Sequence, residues 1–201
     1  MTARNVRSVV VPVGGANFAS LARACEGIGV AVEFSDQAAR IAAATHVILP
    51  GVGAARPAMS ALRERGLARC LTRLTQPVLG ICLGMQLLFE RSDEGGGCDM
   101  LGLIPGGVER LAPAPTWPHM GWNTLENANS PHRLLDGIGR GDWFYFVHGH
   151  AARPAAHSIA TSDFGAPFCA AVAHGNFQGV QFHPEKSSAS GRTVLANFFA
   201  Q

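Results

Sequence analysis

The chain has 201 residues, a size that suits one compact domain over residues 1–201, and 47% of them are hydrophobic, enough to bury a sizeable core. Only 15% are charged and the net charge is +2, which excludes a polybasic nucleic-acid surface and singles out no acidic partner. No apolar run approaches the about 18 residues of a membrane span, and the polar start, Met1 to Arg7, lacks the apolar core of a signal peptide, so a cytoplasmic protein is expected. The five cysteines (Cys25, Cys70, Cys82, Cys98, Cys169) are scattered without a C-x-x-C pair, which fits reduced thiols better than a disulfide framework or a zinc site.

The first half alternates strand and helix signals. Ser8 to Pro12 is an apolar run ending at Gly14-Gly15, and Phe18, Leu21, Ala22, Cys25 and Ile28 then fall on one face of a helix closed by Gly27 and Gly29. Val30 to Phe34 predicts the next strand, and Ser35-Asp36 is placed to cap a short alanine-rich helix. A third strand, His46 to Leu49, is cut off by Pro50-Gly51-Val52-Gly53; a helix over 54–65 and a fourth strand, Val78 to Ile81, follow. Such a βαβ series predicts an α/β fold, a mainly parallel sheet flanked by helices.

The second half reads differently. Residues 92–118 are rich in Gly and Pro with little helical periodicity. Beyond them, Trp143 to Val147, Ser158 to Thr161, Cys169 to Ala173 and Gly179 to Phe182 predict a meander of antiparallel strands added to the parallel core. A last amphipathic helix spans 190–199.

Gly80-Ile81-Cys82-Leu83-Gly84 sits between an apolar strand and a helical pattern (Met85, Leu87, Leu88, Phe89), which is the cysteine form of a nucleophile elbow. A nucleophile on a sharp strand-to-helix turn projects its sulfur above the sheet, and small neighbours give the bent backbone room. The turn also aims the Leu83 N–H at the position of an oxyanion, and the positive end of the helix favours an anion on the sulfur. Read alone, the pentapeptide equally fits a packed cysteine at a strand end; the flanking strand and helix favour the nucleophile.

A thiol nucleophile needs a base, and the base needs an orienting group. Of the eight histidines, His183 stands in the most constrained setting, Gly179-Val180-Gln181-Phe182-His183-Pro184-Glu185-Lys186. Pro184 breaks the strand and fixes a turn, so Glu185 can fold back towards the imidazole. Taken alone, the segment also fits a surface histidine followed by a solvated acid. His174 is a rival base, although Gly175-Asn176 beside it reads as an exposed hairpin turn, and His46 reads as a packed histidine leading a strand.

Together G-x-C-x-G and F-H-P-E resemble the class I, triad-type glutamine amidotransferases. Five strings in chain order narrow this: Leu49 to Gly53, Gly80 to Phe89, Pro118-His119-Met120-Gly121-Trp122-Asn123, Tyr145-Phe146-Val147-His148 and Gly179 to Lys186 resemble the glutaminase subunits of imidazole glycerol phosphate synthases of histidine biosynthesis. The resemblance implies a Cys82, His183, Glu185 triad that hydrolyses L-glutamine to glutamate and ammonia through a glutamyl thioester, with no metal or organic cofactor. It implies glutamine binding by Gln86, a second oxyanion donor from the Gly51, Val52, Gly53 loop beside Leu83, and a substrate-lining segment at His148 and Gly149. It further implies that Asn17, Met120, Trp122, Tyr145 and Lys186 face a partner cyclase, a (β/α)8 barrel, in a heterodimer, with no nucleic acid or membrane involved.

The sequence departs from that pattern in places. Pro12-Val13-Gly14-Gly15-Ala16-Asn17 stands where the family has Asp-Tyr-Gly-x-Gly-Asn, Gly149-His150 follows His148 where Ser-Tyr is usual, and Thr116-Trp117 replaces an expected basic residue. The alternatives are the glutaminase of another synthase, such as that of vitamin B6 synthesis, a catalytically silent regulatory subunit of the same fold, and a cysteine peptidase on a related elbow.

Overall fold

A computed structural model of the chain describes residues 6–15, 17–112, 116–127 and 132–201. Ala16 of the 12–17 loop lies outside the described residues. From the N-terminus come β1 (Ser8–Val10), α1 (Phe18–Glu26), β2 (Val32–Phe34), α2 (Ala38–Ala43), β3 (His46–Gly51), α3 (Ala55–Glu64), α4 (Leu67–Leu71), β4 (Val78–Cys82) and α5 (Leu83–Gln86). Then follow β5 (Phe89–Ser92), β6 (Cys98–Asp99), β7 (Ile104–Arg110), β8 (His119–Thr124), β9 (Glu126–Asn127), β10 (Trp143–His148), β11 (His150–Ala152), β12 (Ser158–Asp163), β13 (Pro167–His174), β14 (Phe177–Val180) and α6 (Ser188–Phe199).

The main sheet has the order β2-β1-β3-β4-β14-β13-β12-β9. Its first four pairings are parallel and its last three antiparallel, as an α/β sheet with added strands predicts. Successive strand residues feed opposite faces: Val9, Val11, Val47 and Leu49 join the core under α3 and α4, while Val10 and Ile48 join the core under α1 and α6. Burial on both faces explains why these strands read as continuous apolar runs. No described helix is long and apolar enough to cross a membrane.

Three expectations are corrected, and one sheet was not anticipated. The helical pattern through Phe89 ends after one turn, at Gln86, and Phe89 opens β5. Leu87, Leu88 and Phe89 are all buried, which one face of a helix cannot achieve; the chain runs straight through the core instead, and the Leu88 carbonyl accepts from the N–H groups of Leu103 and Ile104. Within 92–118, β6 and β7 join β5 and β11 in a second sheet, β11-β7-β5-β6, hidden from sequence by its glycines. Trp143 to Val147 does not join the meander: among the described residues β10 pairs only with β8, in a separate antiparallel ribbon. Finally, α2 receives no side-chain cap; the Ser35 hydroxyl, two residues ahead of the N-cap position, accepts from Gln37 N–H. In contrast, Asn17 does cap α1, its Oδ1 accepting from Ser20 N–H at 3.1 Å.

Candidate functional site

The site forms where three neighbouring parallel strands end. β3, β4 and β14 are adjacent, Gly51 lies in register with Cys82 and Val180 with Ile81, so the loops after all three strands leave the sheet at one rim. Those loops carry Val52-Gly53, the elbow, and Gln181 to Lys186.

Cys82 holds φ 53° and ψ −111°, a left-handed conformation that costs a non-glycine residue of order 1–3 kcal/mol. The neighbouring glycines make this possible by close approach. A Cβ on Gly84 would lie 1.6 Å from the Leu49 carbonyl oxygen, and one on Gly80 would lie 2.6 Å from Gly84 O and Met85 N. The elbow is thus pressed against β3 with only hydrogens between.

His183 leaves the end of β14 and is held by a backbone bond from its N–H to the Tyr145 carbonyl, 2.9 Å. Pro184 starts a single 3-10 turn over 184–186, which brings the Glu185 Oε1 to 2.8 Å from His183 Nδ1. Both side chains are buried. Burial disfavours the imidazolium, but Cys82 and Glu185 together outweigh it and push the His183 pKa up to about 10. Nε2 is buried and closes no hydrogen bond of ordinary geometry, so the ring is held from Nδ1 with its other nitrogen on the cysteine side.

The Cys82 sulfur has two further polar neighbours. The Val147 carbonyl of β10 lies 3.8 Å away and accepts from the thiol, and the Gln181 Nε2 lies 3.7 Å away and donates to it. Gln181 connects onward to Gln86, and Gln86 to the His150 carbonyl. A small cavity of about 30 Å³ adjoins His183 and Glu185, and Asn17, Gly51, Val52 and Lys186 line it.

The ribbon closes the site from above. Residues paired across it share a face, so His119, Phe144, Phe146 and His148 point inward while Met120, Trp122, Trp143 and Tyr145 belong to the other face. Phe144 and Phe146 anchor the ribbon against Phe182, with ring centroids 4.2 and 5.7 Å apart. His148 Nδ1 donates to the His150 carbonyl at 2.9 Å, so its Nε2 accepts from His119 Nδ1 at 3.1 Å. Burial lowers both rings, His148 to about 3 and His119 to about 4, so both are neutral at pH 7. With both nitrogens bonded internally, His148 has only backbone and ring surface left for a ligand.

Two of the three departures from the family pattern, Thr116-Trp117 and Gly149-His150, lie together in space. Trp117 Nε1 donates to the Gly149 carbonyl at 2.9 Å, and a Cβ on Gly149 would meet the indole at 2.6 Å. The same indole stands edge-on to His150, and the Arg110 guanidinium lies 4.8 Å over it. Arg110 of β7 thus brings a positive charge to the segment that lacks a basic residue in sequence.

The sequence-predicted residues therefore divide. The structure gathers Cys82, Leu83, His183, Glu185, Gly51, Val52 and Gly53 at one rim of the sheet, joins Gln86 to it through Gln181, and brings His148, with Gly149 after it, in on the ribbon; Asn17 and Lys186 stand beside the small cavity, and Met120, Trp122 and Tyr145 lie on the ribbon's other face. Missed by sequence were Gln181, Trp117 and Trp143. Gln181 carried a readable signal, a polar residue in an apolar run two positions before His183 and so on the same side of an extended chain. Among the described residues no cluster of three or more His, Cys, Asp or Glu side chains is arranged to hold a metal ion.

A cysteine on a strained strand-to-helix turn, with a histidine and a buried carboxylate at the same rim of a parallel sheet, is the architecture of an α/β nucleophile-elbow enzyme. A sequence model of the family described as glutamine amidotransferase class-I matches residues 9–201. The chain is 47% identical to an imidazole glycerol phosphate synthase subunit HisH of Shewanella loihica, over 96% of this chain and 90% of that protein. It is 45% identical to the protein of that name from Pasteurella multocida, over 91% and 92% of the two chains. Among solved structures, a putative GMP synthase subunit from Thermoplasma acidophilum shares the fold, with a TM-score of 0.73 at 18% identity over 98% of this chain and 94% of that one. This chain belongs to the class I glutamine amidotransferase family.

Proposed function

We propose that the protein is the glutaminase subunit of an imidazole glycerol phosphate synthase. It hydrolyses L-glutamine to L-glutamate and hands the ammonia to a partner cyclase in histidine biosynthesis. The observation that carries this reading is the buried His183–Glu185 pair set at 2.8 Å beside a cysteine held on the elbow, in a chain 47% identical to a HisH subunit.

In this reading the Cys82 proton rests on His183 Nε2, and the sulfur attacks the carboxamide carbon of glutamine as the thiolate of that pair. Glu185 holds the imidazole proton on Nδ1 and stabilises the imidazolium. The Leu83 N–H and the 51–53 loop take the oxyanion. His183 returns its proton to the departing nitrogen, ammonia leaves, and a water activated by the same imidazole hydrolyses the thioester. Both N–H groups of Gln86 are bonded within the protein, to His150 and Gln181, so Gln86 offers glutamine its oxygen as an acceptor.

The partner face is the outer side of the ribbon. Met120, Trp122 and Trp143 are 63%, 49% and 54% exposed there, a run of large apolar side chains that a soluble surface ordinarily buries against something. Lys186 stands over the Tyr145 ring at 5.4 Å, at the join of this face with the catalytic turn. A (β/α)8 cyclase seated there would contact the backbone that carries His183 and, through Val147, the one that faces Cys82. For that reason the isolated chain is expected to turn over glutamine only weakly.

The test is glutamate release from glutamine by the purified chain, with and without the cognate cyclase and its nucleotide ligand, with Cys82→Ala as control. Turnover that appears with the partner and vanishes in the variant supports the reading. Substantial turnover by Cys82→Ala, or none in a demonstrated complex, overturns it.

A further inference from the structure

Gln181 is fully buried, and nothing in the triad chemistry requires it. Its amide nitrogen lies 3.7 Å from the Cys82 sulfur and its oxygen 3.0 Å from the Gln86 nitrogen. The Gln86 nitrogen also donates to the His150 carbonyl at 2.8 Å.

One backbone atom fixes the direction of this whole chain. A carbonyl oxygen has no proton to give, so the group facing His150 O must be the nitrogen of Gln86 and cannot be its oxygen. The second N–H of that nitrogen then meets an oxygen of Gln181, which leaves the Gln181 nitrogen, and its protons, towards the sulfur. Turning Gln86 over would set its oxygen against the His150 and Gln181 oxygens, and turning Gln181 over would set nitrogen against nitrogen, each at hydrogen-bond distance inside a buried site.

The two polar neighbours of the sulfur act in opposite senses. The Val147 carbonyl suits a thiol, because it accepts the S–H, and opposes a thiolate. An N–H donor suits a thiolate, the stronger acceptor. The titratable groups around it are His183, with Glu185 behind, and neutral His148 on β10. A neutral amide donor favours the anion on sulfur without placing a second positive charge beside the imidazolium.

We propose that Gln181 is a catalytic residue, a pre-aimed N–H donor that stabilises the Cys82 thiolate, with Gln86 and the His150 carbonyl as the positioning groups that set its direction. This rests on Cys82 being the nucleophile.

The test compares the wild-type chain with Gln181→Met, which keeps the length and removes the donor, and Gln181→Glu, which keeps the shape and puts an acceptor at the sulfur. Iodoacetamide labelling of the Cys82 peptide is followed across pH by mass spectrometry. Both variants are expected to move the labelling midpoint up by about one pH unit, and to cut the rate at neutral pH about tenfold, as loss of one hydrogen bond to a charged group requires. In the complex, kcat falls by a similar factor while KM for glutamine stays within about threefold. A merely structural Gln181 lowers the melting temperature and leaves the midpoint where it was. An unmoved midpoint in either folded variant overturns the proposal. Persistent glutamate release by Cys82→Ala overturns the nucleophile reading beneath it, so the two failures are distinguishable.

Discussion

Adding a single methyl group at Gly84 tests the physical basis of the elbow. An ideal Cβ there lies 1.6 Å from the Leu49 carbonyl oxygen and 2.6 Å from the Leu49 carbonyl carbon, both backbone atoms that cannot swing aside. Ordinary carbon–oxygen contact needs about 3.3 Å, so the elbow must retreat from β3 by roughly 1.7 Å. Neighbouring strands sit only about 4.8 Å apart, and such a retreat breaks the Gly51 to Cys82 end of the β3–β4 ladder. Overpacking of about 1–3 kcal/mol, with one or two hydrogen bonds lost at about 1 kcal/mol each, predicts a loss of roughly 2–5 kcal/mol for Gly84→Ala. At about 2–4 °C per kcal/mol for a chain of this size, melting falls by roughly 4–20 °C. The assay is thermal unfolding by circular dichroism, paired with glutamate release in the complex. Gly141→Ala, which meets nothing within 4 Å, serves as the control. A Gly84→Ala protein that melts within about 2 °C of wild type with full activity would refute the close-packing argument.

Glu185→Gln removes the carboxylate 2.8 Å from His183 Nδ1, so kcat is expected to fall by about 10³–10⁴ and the His183 titration, read by NMR, to move down. In the wild type the raised His183 pKa adds stability that is complete below pH 6.5 and is lost as pH rises through about 10. His148 and His119 act in the opposite sense: depressed to about 3 and 4, they favour the folded state above pH 6.5 and stop doing so as pH falls through those values. His119→Phe, a ring for a ring in the stack with Phe146 and Phe164, should therefore be less destabilising at pH 5 than at pH 7, and an equal cost at both would count against it. Gly149→Ser should destabilise by at least about 1 kcal/mol alone and much less in a Trp117→Ala background, a coupling that a double-mutant cycle of denaturation midpoints reads directly. Trp122→Ala with Trp143→Ala should leave folding nearly unchanged and weaken partner binding at least tenfold by calorimetry, whereas undiminished binding would place the partner elsewhere.

Much of the site was legible because its signals are local. G-x-C-x-G needs only the steric argument that a bent backbone tolerates hydrogens where it would not tolerate a Cβ, and the structure presses Gly84 onto Leu49. His-Pro-Glu is a turn whose geometry is set within three residues, and the βαβ order follows from apolar runs and their spacing. Each of these is a statement about neighbours in sequence.

What sequence could not give are the contacts between distant segments, which no periodicity encodes. Leu87, Leu88 and Phe89 look helical because apolar runs are ambiguous, and only the N–H groups of 101–104 arriving from a later segment decided that they end a one-turn helix. The glycine-rich 92–118 segment showed no alternation, yet β7 within it finds its ladder on β5 and on the distant β11, as in the Val108 to Ala152 pairing. The direction of the Gln181 amide is likewise set by the His150 carbonyl, and the indole of Trp117 fills the space left where Gly149 has no side chain. By itself the sequence determined which residues are candidates for the chemistry, because strained turns and apolar strands are local properties of the chain. Only the tertiary structure decided how those atoms are aimed, because a buried donor points wherever its one available acceptor lies.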